Sequence, residues 1–215
     1  MLPLHGPVPL LHDYLLHSAR TSPDKVALVC MQKRLSYAEL DARSNALAHT
    51  LIEAGVCRGD RVVVFADNTV ETVVSFWAAL KANAVVCIVN PLTKSDKLNY
   101  LLQDCRPTAL ITDQHLYAVF AAPSQACKHL RRVIISGVID ESRLDAIPHA
   151  QRWDAALATG STSYPPTRQS IDIDLAAIIY TSGSTGDHKG VMLTHRNMLT
   201  ACTSISSYLE IQHDE

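Results

Sequence analysis

Nine consecutive residues, Thr181-Ser-Gly-Ser-Thr-Gly-Asp-His-Lys189, hold four hydroxyls, two glycines and one lysine. Each type has a task at a polyphosphate. Gly183 and Gly186 permit positive φ and let the backbone come close to phosphate oxygens. Successive backbone N–H groups can then converge on one concavity, a nest for anions. Thr181, Ser182, Ser184 and Thr185 add hydroxyl donors, and Lys189 adds a compact positive charge. The competing reading is a solvent-exposed polar turn, the usual role of Gly/Ser/Thr clusters. Two features favour phosphate. The run follows the apolar Leu175-Ala-Ala-Ile-Ile-Tyr180 directly, and it ends in Lys-Gly ahead of a second apolar run, Gly190-Val-Met-Leu193.

Two better-known loops are excluded by spacing. A Walker A loop needs Gly-Lys-Ser/Thr, whereas Lys189 lies between His188 and Gly190. A dinucleotide fingerprint needs Gly-x-Gly-x-x-Gly opening a helix. Here the flanks read as strand, loop, strand, after which Thr194 caps a helix carrying Met198, Ala201, Cys202, Ile205 and Tyr208.

The rest of the chain supplies a scaffold for such a loop. Ser36-Tyr-Ala-Glu39 reads as a capping box ahead of a stripe at Leu40, Leu47, Ala48 and Leu51, and Gly55 ends that helix. Residues 61–65, 85–89, 109–112 and 133–135 are short apolar runs rich in β-branched residues, hence buried strands. Between them lie a helix with Val70, Val73, Val74, Trp77 and Ala78 on one face, stopped near Asn83, and one capped by Ser95 with Leu98, Leu101, Leu102 and Cys105. A further helix is expected from Gln114 to Phe120.

Strands that alternate with helices and are apolar throughout predict an α/β fold: a three-layer α/β/α, mostly parallel sheet. Pro148, Gly160, Pro165 and Pro166 break the rhythm. The expected division is a first α/β subdomain over residues 1–144, a connection over 145–170, and a phosphate-loop segment with its following helix over 171–215. The strand at 175–180 is expected to begin or join a second sheet.

Composition narrows the classes. Hydrophobic residues make up 47% and charged residues 19% of the 215, with a formal net charge of −2, which marks a globular chain without the basic face of a nucleic-acid binder. No run of Lys or Arg marks a membrane-surface segment, and no stretch is long and apolar enough for a transmembrane span. The six cysteines are scattered, with no zinc-ribbon or redox-pair spacing, and several lie in apolar runs. Buried reduced thiols, with no secretory pattern at the N-terminus, give a cytoplasmic expectation. No histidine cluster or nucleophilic triad is legible, and no metal ligands are expected. His5, His12 and His17 lack metal-like partners, and His195 reads as a helix-surface histidine.

The segment Tyr180-Thr-Ser-Gly-Ser-Thr-Gly-Asp-His-Lys-Gly-Val191 resembles the phosphate-loop signature of the adenylate-forming (AMP-binding) superfamily. Leu35-Ser-Tyr-Ala-Glu-Leu40 and Leu80-Lys-Ala-Asn-Ala-Val-Val-Cys-Ile-Val-Asn90 resemble its first and second core motifs, in the family's order. The likeness covers nearly the whole chain. Asn90-Pro91 is more like the acyl-CoA ligases than the amino-acid-activating domains, and the likeness extends to the exosortase-associated acyl-CoA ligases. Three departures stand out: His188 replaces the usual proline, Asn83 the usual glycine, and Ile88 a frequent proline.

The resemblance implies an AMP-forming acyl ligase. Such enzymes join a small carboxylic acid to the α-phosphate of ATP, release pyrophosphate, and pass the acyl group to CoA or a carrier-protein thiol, with Mg²⁺ bridging phosphate oxygens. The loop's Thr181, Ser182, Gly183, Ser184, Thr185, Gly186 and Lys189 would hold the ATP phosphates. The family's catalytic residues match no position here and are expected beyond residue 215, so the chain reads as an N-terminal fragment, inactive alone. The rival readings are a non-catalytic remnant that binds a nucleotide or a partner chain, part of an amino-acid-activating adenylation domain, and an unrelated Rossmann-like nucleotide enzyme.

Overall fold

The computed structural model of the chain describes residues 9–182 and 188–211. A helix α1 (Leu11–Thr21) precedes an antiparallel hairpin of β1 (Val26–Cys30) and β2 (Lys33–Ser36), which forms a small sheet of its own. Then follow α2 (Tyr37–Glu53), β3 (Arg61–Phe65), α3 (Val70–Lys81), β4 (Val85–Val89), α4 (Ser95–Cys105), β5 (Ala109–Asp113), α5 (Tyr117–Ala126), β6 (Arg132–Ser136), α6 (Glu141–Asp145), β7 (Ala150–Arg152) and α7 (Trp153–Thr159). The chain closes on β8 (Leu175–Ser182), β9 (His188–Thr194) and α8 (His195–Tyr208).

Local chemistry explains most boundaries. Ser36 and Glu39 exchange the two hydrogen bonds of a capping box at α2, with the Glu39 amide donating to Ser36 Oγ at 3.2 Å and the Ser36 amide to the Glu39 carboxylate at 2.8 Å. Gly55 follows α2 at φ 91°, a conformation that costs glycine nothing. Thr69 caps α3. The expected Ser95 cap is displaced by one position: Lys94 is the N-cap of α4, and its side chain cannot accept a bond.

Seven strands form one sheet in the order β7-β6-β5-β3-β4-β8-β9, and every pairing but the last is parallel. The pleat divides the strands between two cores. Val62 and Val64 face one cluster with Leu47, Leu51, Val74 and Leu80, while Val63 and Phe65 face another with Leu98, Leu102 and Phe120. Helices α2 and α3 therefore cover one face and α4 and α5 the other, which is the three-layer, mostly parallel architecture expected.

The expected second sheet at 175–180 is corrected. β8 pairs in parallel with β4, Val86 beside Ala177, and extends the same sheet. The reason lies in how the preceding connection is held. Asn83, at φ 61° just ahead of β4, donates from its amide to Thr167 O at 3.0 Å and accepts from the Gln169 and Ser170 amides at 2.7 and 3.0 Å. Arg58 adds a two-point ion pair to Asp174. The chain reaches Leu175 already beside β4. Within 145–170, residues 150–159 fold as β7, on the opposite edge of the sheet, and α7, which packs on α2.

A buried ion pair locks α2 to α3. The Lys81 ammonium donates to Asp41 Oδ1 at 2.6 Å, to Ser44 Oγ at 2.7 Å and to Asn45 Oδ1 at 2.7 Å. Burial pushes the Lys81 pKa down to about 8, and Asp41 opposes that shift.

Candidate phosphate-binding site

β8 and β9 are antiparallel, with Tyr180 opposite Gly190, Thr181 opposite Lys189 and Ser182 opposite His188. Gly183, Ser184, Thr185 and Gly186 lie outside the described residues. What the structure gives is the frame of their loop: two strands that bring its first and last residues side by side. Directly opposed residues of an antiparallel pair send their side chains to the same face, about 5 Å apart at Cβ. Thr181 and Lys189 are such a pair, and both are exposed to solvent. A hydroxyl and an ammonium thus share one face where β8 leaves the sheet. Because β8 is parallel to β3, β4 and β5, that exit lies along the carboxyl edge, where open α/β sheets bind ligands.

Three contacts fix the hairpin. The Tyr180 hydroxyl donates to Asp104 Oδ2 at 2.5 Å, tying the last turn of β8 to α4. Burial, reinforced by that carboxylate, raises the Tyr180 pKa well above its ordinary value, so the phenol stays a donor. Gly190 is required by close approach: a Cβ there would stand 2.8 Å from Ile178 Cγ2 and 3.6 Å from the Tyr180 ring. At the far end Thr194 and Asn197 form a capping box that starts α8. The glycine after the lysine therefore serves the packing of β8 beneath it.

One reading of the sequence is corrected at this end. His195 is not on a helix surface. It is 1% exposed, accepts a bond from the Leu11 amide at 3.3 Å on Nδ1, and packs edge-on against His12 with centroids 5.9 Å apart. The contact joins α1 to the start of α8 across 183 residues of sequence, and no local pattern marks it. His12 Nδ1 is buried without a partner. Burial pushes the His12 pKa down to about 4 and lowers that of His195 as well.

A cavity of about 590 Å³ lies between α1 and α8, with Tyr14, Asp172, Arg196 and Leu199 among its walls. Since β9 runs back from the loop, this cavity is at the opposite end of the hairpin and plays no part in the phosphate frame. Among the described residues no group of His, Cys, Asp and Glu could hold a metal ion, and no helix is long and apolar enough to cross a membrane.

Known proteins share this organisation. The family model described as AMP-binding enzyme matches residues 15–215. The chain is 34% identical over 202 residues to malpinin synthetase of Mortierella alpina, covering 94% of this chain and 2% of that protein. It is 30% identical over 187 residues to a medium/long-chain-fatty-acid–CoA/3-oxocholest-4-en-26-oate–CoA ligase of Mycobacterium tuberculosis, covering 86% of this chain and 33% of that one. Among solved structures it is similar to ATP-bound MatB from Rhodopseudomonas palustris, with a TM-score of 0.75 and 28% identity over 92% of this chain and 37% of that chain. The fold is also that of the anthranilate CoA ligase AuaEII in complex with anthranoyl-AMP, with a TM-score of 0.83 over 94% of this chain and 37% of that one. The chain thus spans about a third of those ligases' length and a far smaller share of the synthetase.

Proposed function

The chain belongs to the AMP-binding enzyme family, and we propose that it is the phosphate-gripping part of an AMP-forming acyl ligase. The reaction joins a carboxylate to the α-phosphate of ATP, giving an acyl-adenylate and pyrophosphate, and the acyl group then passes to a thiol such as CoA. The observation that carries the reading is the pairing of Thr181 with Lys189 across the β8–β9 hairpin, at the carboxyl edge of a parallel sheet. Backbone amides and hydroxyls of residues 181–186 would cradle the distal phosphates, and Lys189 would neutralise charge as pyrophosphate leaves. Mg²⁺ would supply further charge neutralisation, held through the phosphate oxygens themselves. The matched ligases support CoA as acceptor, and so does Asn90-Pro91.

A second reading has its own support. Malpinin synthetase and tyrocidine synthase 3 of Brevibacillus parabrevis, 34% and 32% identical, are synthetases rather than CoA ligases. Amino-acid activation with transfer to a carrier thiol uses the same first step.

ATP–pyrophosphate exchange tests both readings, with fatty, aromatic and amino acids as separate panels. The 215-residue chain should bind ATP yet exchange pyrophosphate poorly alone, because alignment of the carboxylate is worth about 7–11 kcal/mol and phosphate contacts do not supply it. In a full-length enzyme containing this chain, Lys189→Ala should cost about 1.5–3 kcal/mol in the adenylation step, the worth of one charge-assisted contact. Unchanged kinetics in that variant would make Lys189 an ordinary surface lysine and remove the reading's main support.

A further inference from the structure

We propose that Cys105 and Cys87 form a peroxide-oxidisable pair, with Cys105 as the attacking sulfur, Cys87 as the resolving one, and a disulfide between α4 and β4 as the product. The adenylation chemistry uses neither thiol, so the inference is independent of it.

The fold, rather than the spacing of the cysteines, brings the two together. Cys87 is central in β4, and Cys105 is the last residue of α4. Both lie in the buried cluster with Leu98, Leu102 and Phe120. β4 and β8 are parallel neighbours with Val86 beside Ala177, which puts Cys87 next to Ile178. Ile178 and Cys105 both wall a cavity of about 390 Å³, together with Arg61, Asp104 and Tyr180. At this junction the Cys87 thiol is hydrogen-bonded to Cys105. Cys87 is fully buried, while Cys105 is on the cavity wall, so a small oxidant meets Cys105 first.

The surroundings divide the roles. α4 ends at Cys105 because Arg106 takes the left-handed conformation, with φ 48°. The carboxyl end of a helix opposes a negative charge. Arg61 offsets that here: its Nε donates to Cys105 O at 2.6 Å and a terminal nitrogen to Arg106 O at 2.9 Å. A guanidinium is thereby fixed beside Cys105, the kind of neighbour that reactive thiols have. The bond from Cys87 holds the Cys105 pKa below the usual thiol range, with Arg61 acting in the same sense and burial and Asp104 against it. The same bond, together with burial, pushes the Cys87 pKa up, so Cys87 keeps its proton. Tyr180 on the cavity wall stays protonated as well. Cys30, Cys57 and Cys127 instead donate to the carbonyls of Asn68, Gly55 and Leu102, contacts that favour the thiol over the thiolate.

The oxidant is a hydroperoxide. The Cys105 thiolate attacks one peroxide oxygen, the O–O bond breaks, and Cys105 becomes a sulfenic acid while the other oxygen leaves as hydroxide and is protonated to water. Cys87 sulfur then attacks the sulfenic sulfur. The S–O bond breaks, the S–S bond forms, and the Cys87 proton leaves with the hydroxide as a second water. The two thiols lose two electrons in all, and the peroxide takes them.

The test uses the 215-residue chain carrying Cys30→Ser/Cys57→Ser/Cys202→Ser, which leaves the core unchanged and removes the more accessible thiols. After exposure to hydrogen peroxide, digestion and mass spectrometry should find Cys87 linked to Cys105, with the link reversed by dithiothreitol. Cys127, buried in the same cluster, should react at least about tenfold more slowly. Adding Cys87→Ala should stop the reaction at a sulfenic acid on Cys105, trapped by dimedone. Adding Cys105→Ala should leave Cys87 a free thiol under the same exposure. The urea midpoint of each variant verifies that it is folded. The proposal is overturned if peroxide leaves Cys87 and Cys105 as free thiols in the triple variant, or if Cys127 reacts as fast as Cys105. It is also overturned if the bond formed runs to Cys127. The first of these measurements needs no substitution at either member of the pair, so a failure of the added variants to fold leaves it decisive.

Discussion

The centre of the sheet and its β8–β9 edge are built from similar residues and meet water differently. In β3, β5 and β6 nearly every side chain is buried, because helices cover both faces. In β9 Val191 and Met192 are exposed, and α8 buries only His195. The first region is a scaffold in which each residue is held from two sides. The second is a strand pair with one free edge, steadied at a few points: Tyr180 on Asp104, Gly190 over Ile178, and Thr194 on Asn197. Stability resides in the centre and the proposed chemistry at the edge, so substitutions should divide by region rather than by residue type.

The largest effect expected from that division is in the core. Leu110, fully buried on β5, should cost about 2–5 kcal/mol when changed to Ala, as cavity-forming changes do. Met192→Ala, on the exposed face of β9, should change stability by less than about 0.5 kcal/mol. Urea denaturation of both variants measures the contrast. Equal losses would mean that the hairpin shares fully in the cooperative core and that the two regions are one.

The two halves meet at His12 and His195, and that contact should be sensitive to acid. Asp13, His195, Lys81 and Arg168 are the charged or titratable neighbours acting on His12, and of these only Asp13 favours its protonated form. Its folded pKa of about 4 lies below the ordinary 6.5. Between those values the unfolded chain binds the additional proton, so stability falls as pH falls. The stabilisation is complete above about 6.5 and lost on descending through about 4, on the order of 3 kcal/mol for His12 alone. His12→Phe should flatten the stability profile across that window. A profile as steep in the variant as in the parent chain would place the acid sensitivity elsewhere.

The sequence made the scaffold legible because its signals are local. Ser36 with Glu39, Gly55 and the four apolar runs each mark an element within a few residues, and alternation of strand with helix implies the parallel sheet. The strand–loop–strand frame of residues 175–193 was legible for the same reason. What escaped were choices made between distant residues. Nothing local says that Asn83 will hold residues 167–170 beside β4, and that contact decides which sheet β8 joins. Nor does anything near His195 announce His12. The partner of a buried polar group is set by packing and is invisible to periodicity.

The smallest effect compares one piece of chemistry in both regions. Ser36 and Thr194 each begin a helix with a capping box, and each accepts a bond from the amide three residues on, at 3.2 and 3.1 Å. Removing a cap costs about 1 kcal/mol of helix stability. At α2 that cost should appear in global unfolding, since Leu40, Leu47 and Leu51 bind the helix into the core and it cannot open alone. At α8 most of the helix is exposed, so it can fray without disturbing the sheet. Ser36→Ala should therefore lower the urea midpoint measurably. Thr194→Ala should leave it nearly unchanged and instead speed amide exchange over residues 195–199. If Thr194→Ala lowers the midpoint as much as Ser36→Ala does, α8 is part of the core unit, and the edge is more firmly held than its exposure indicates.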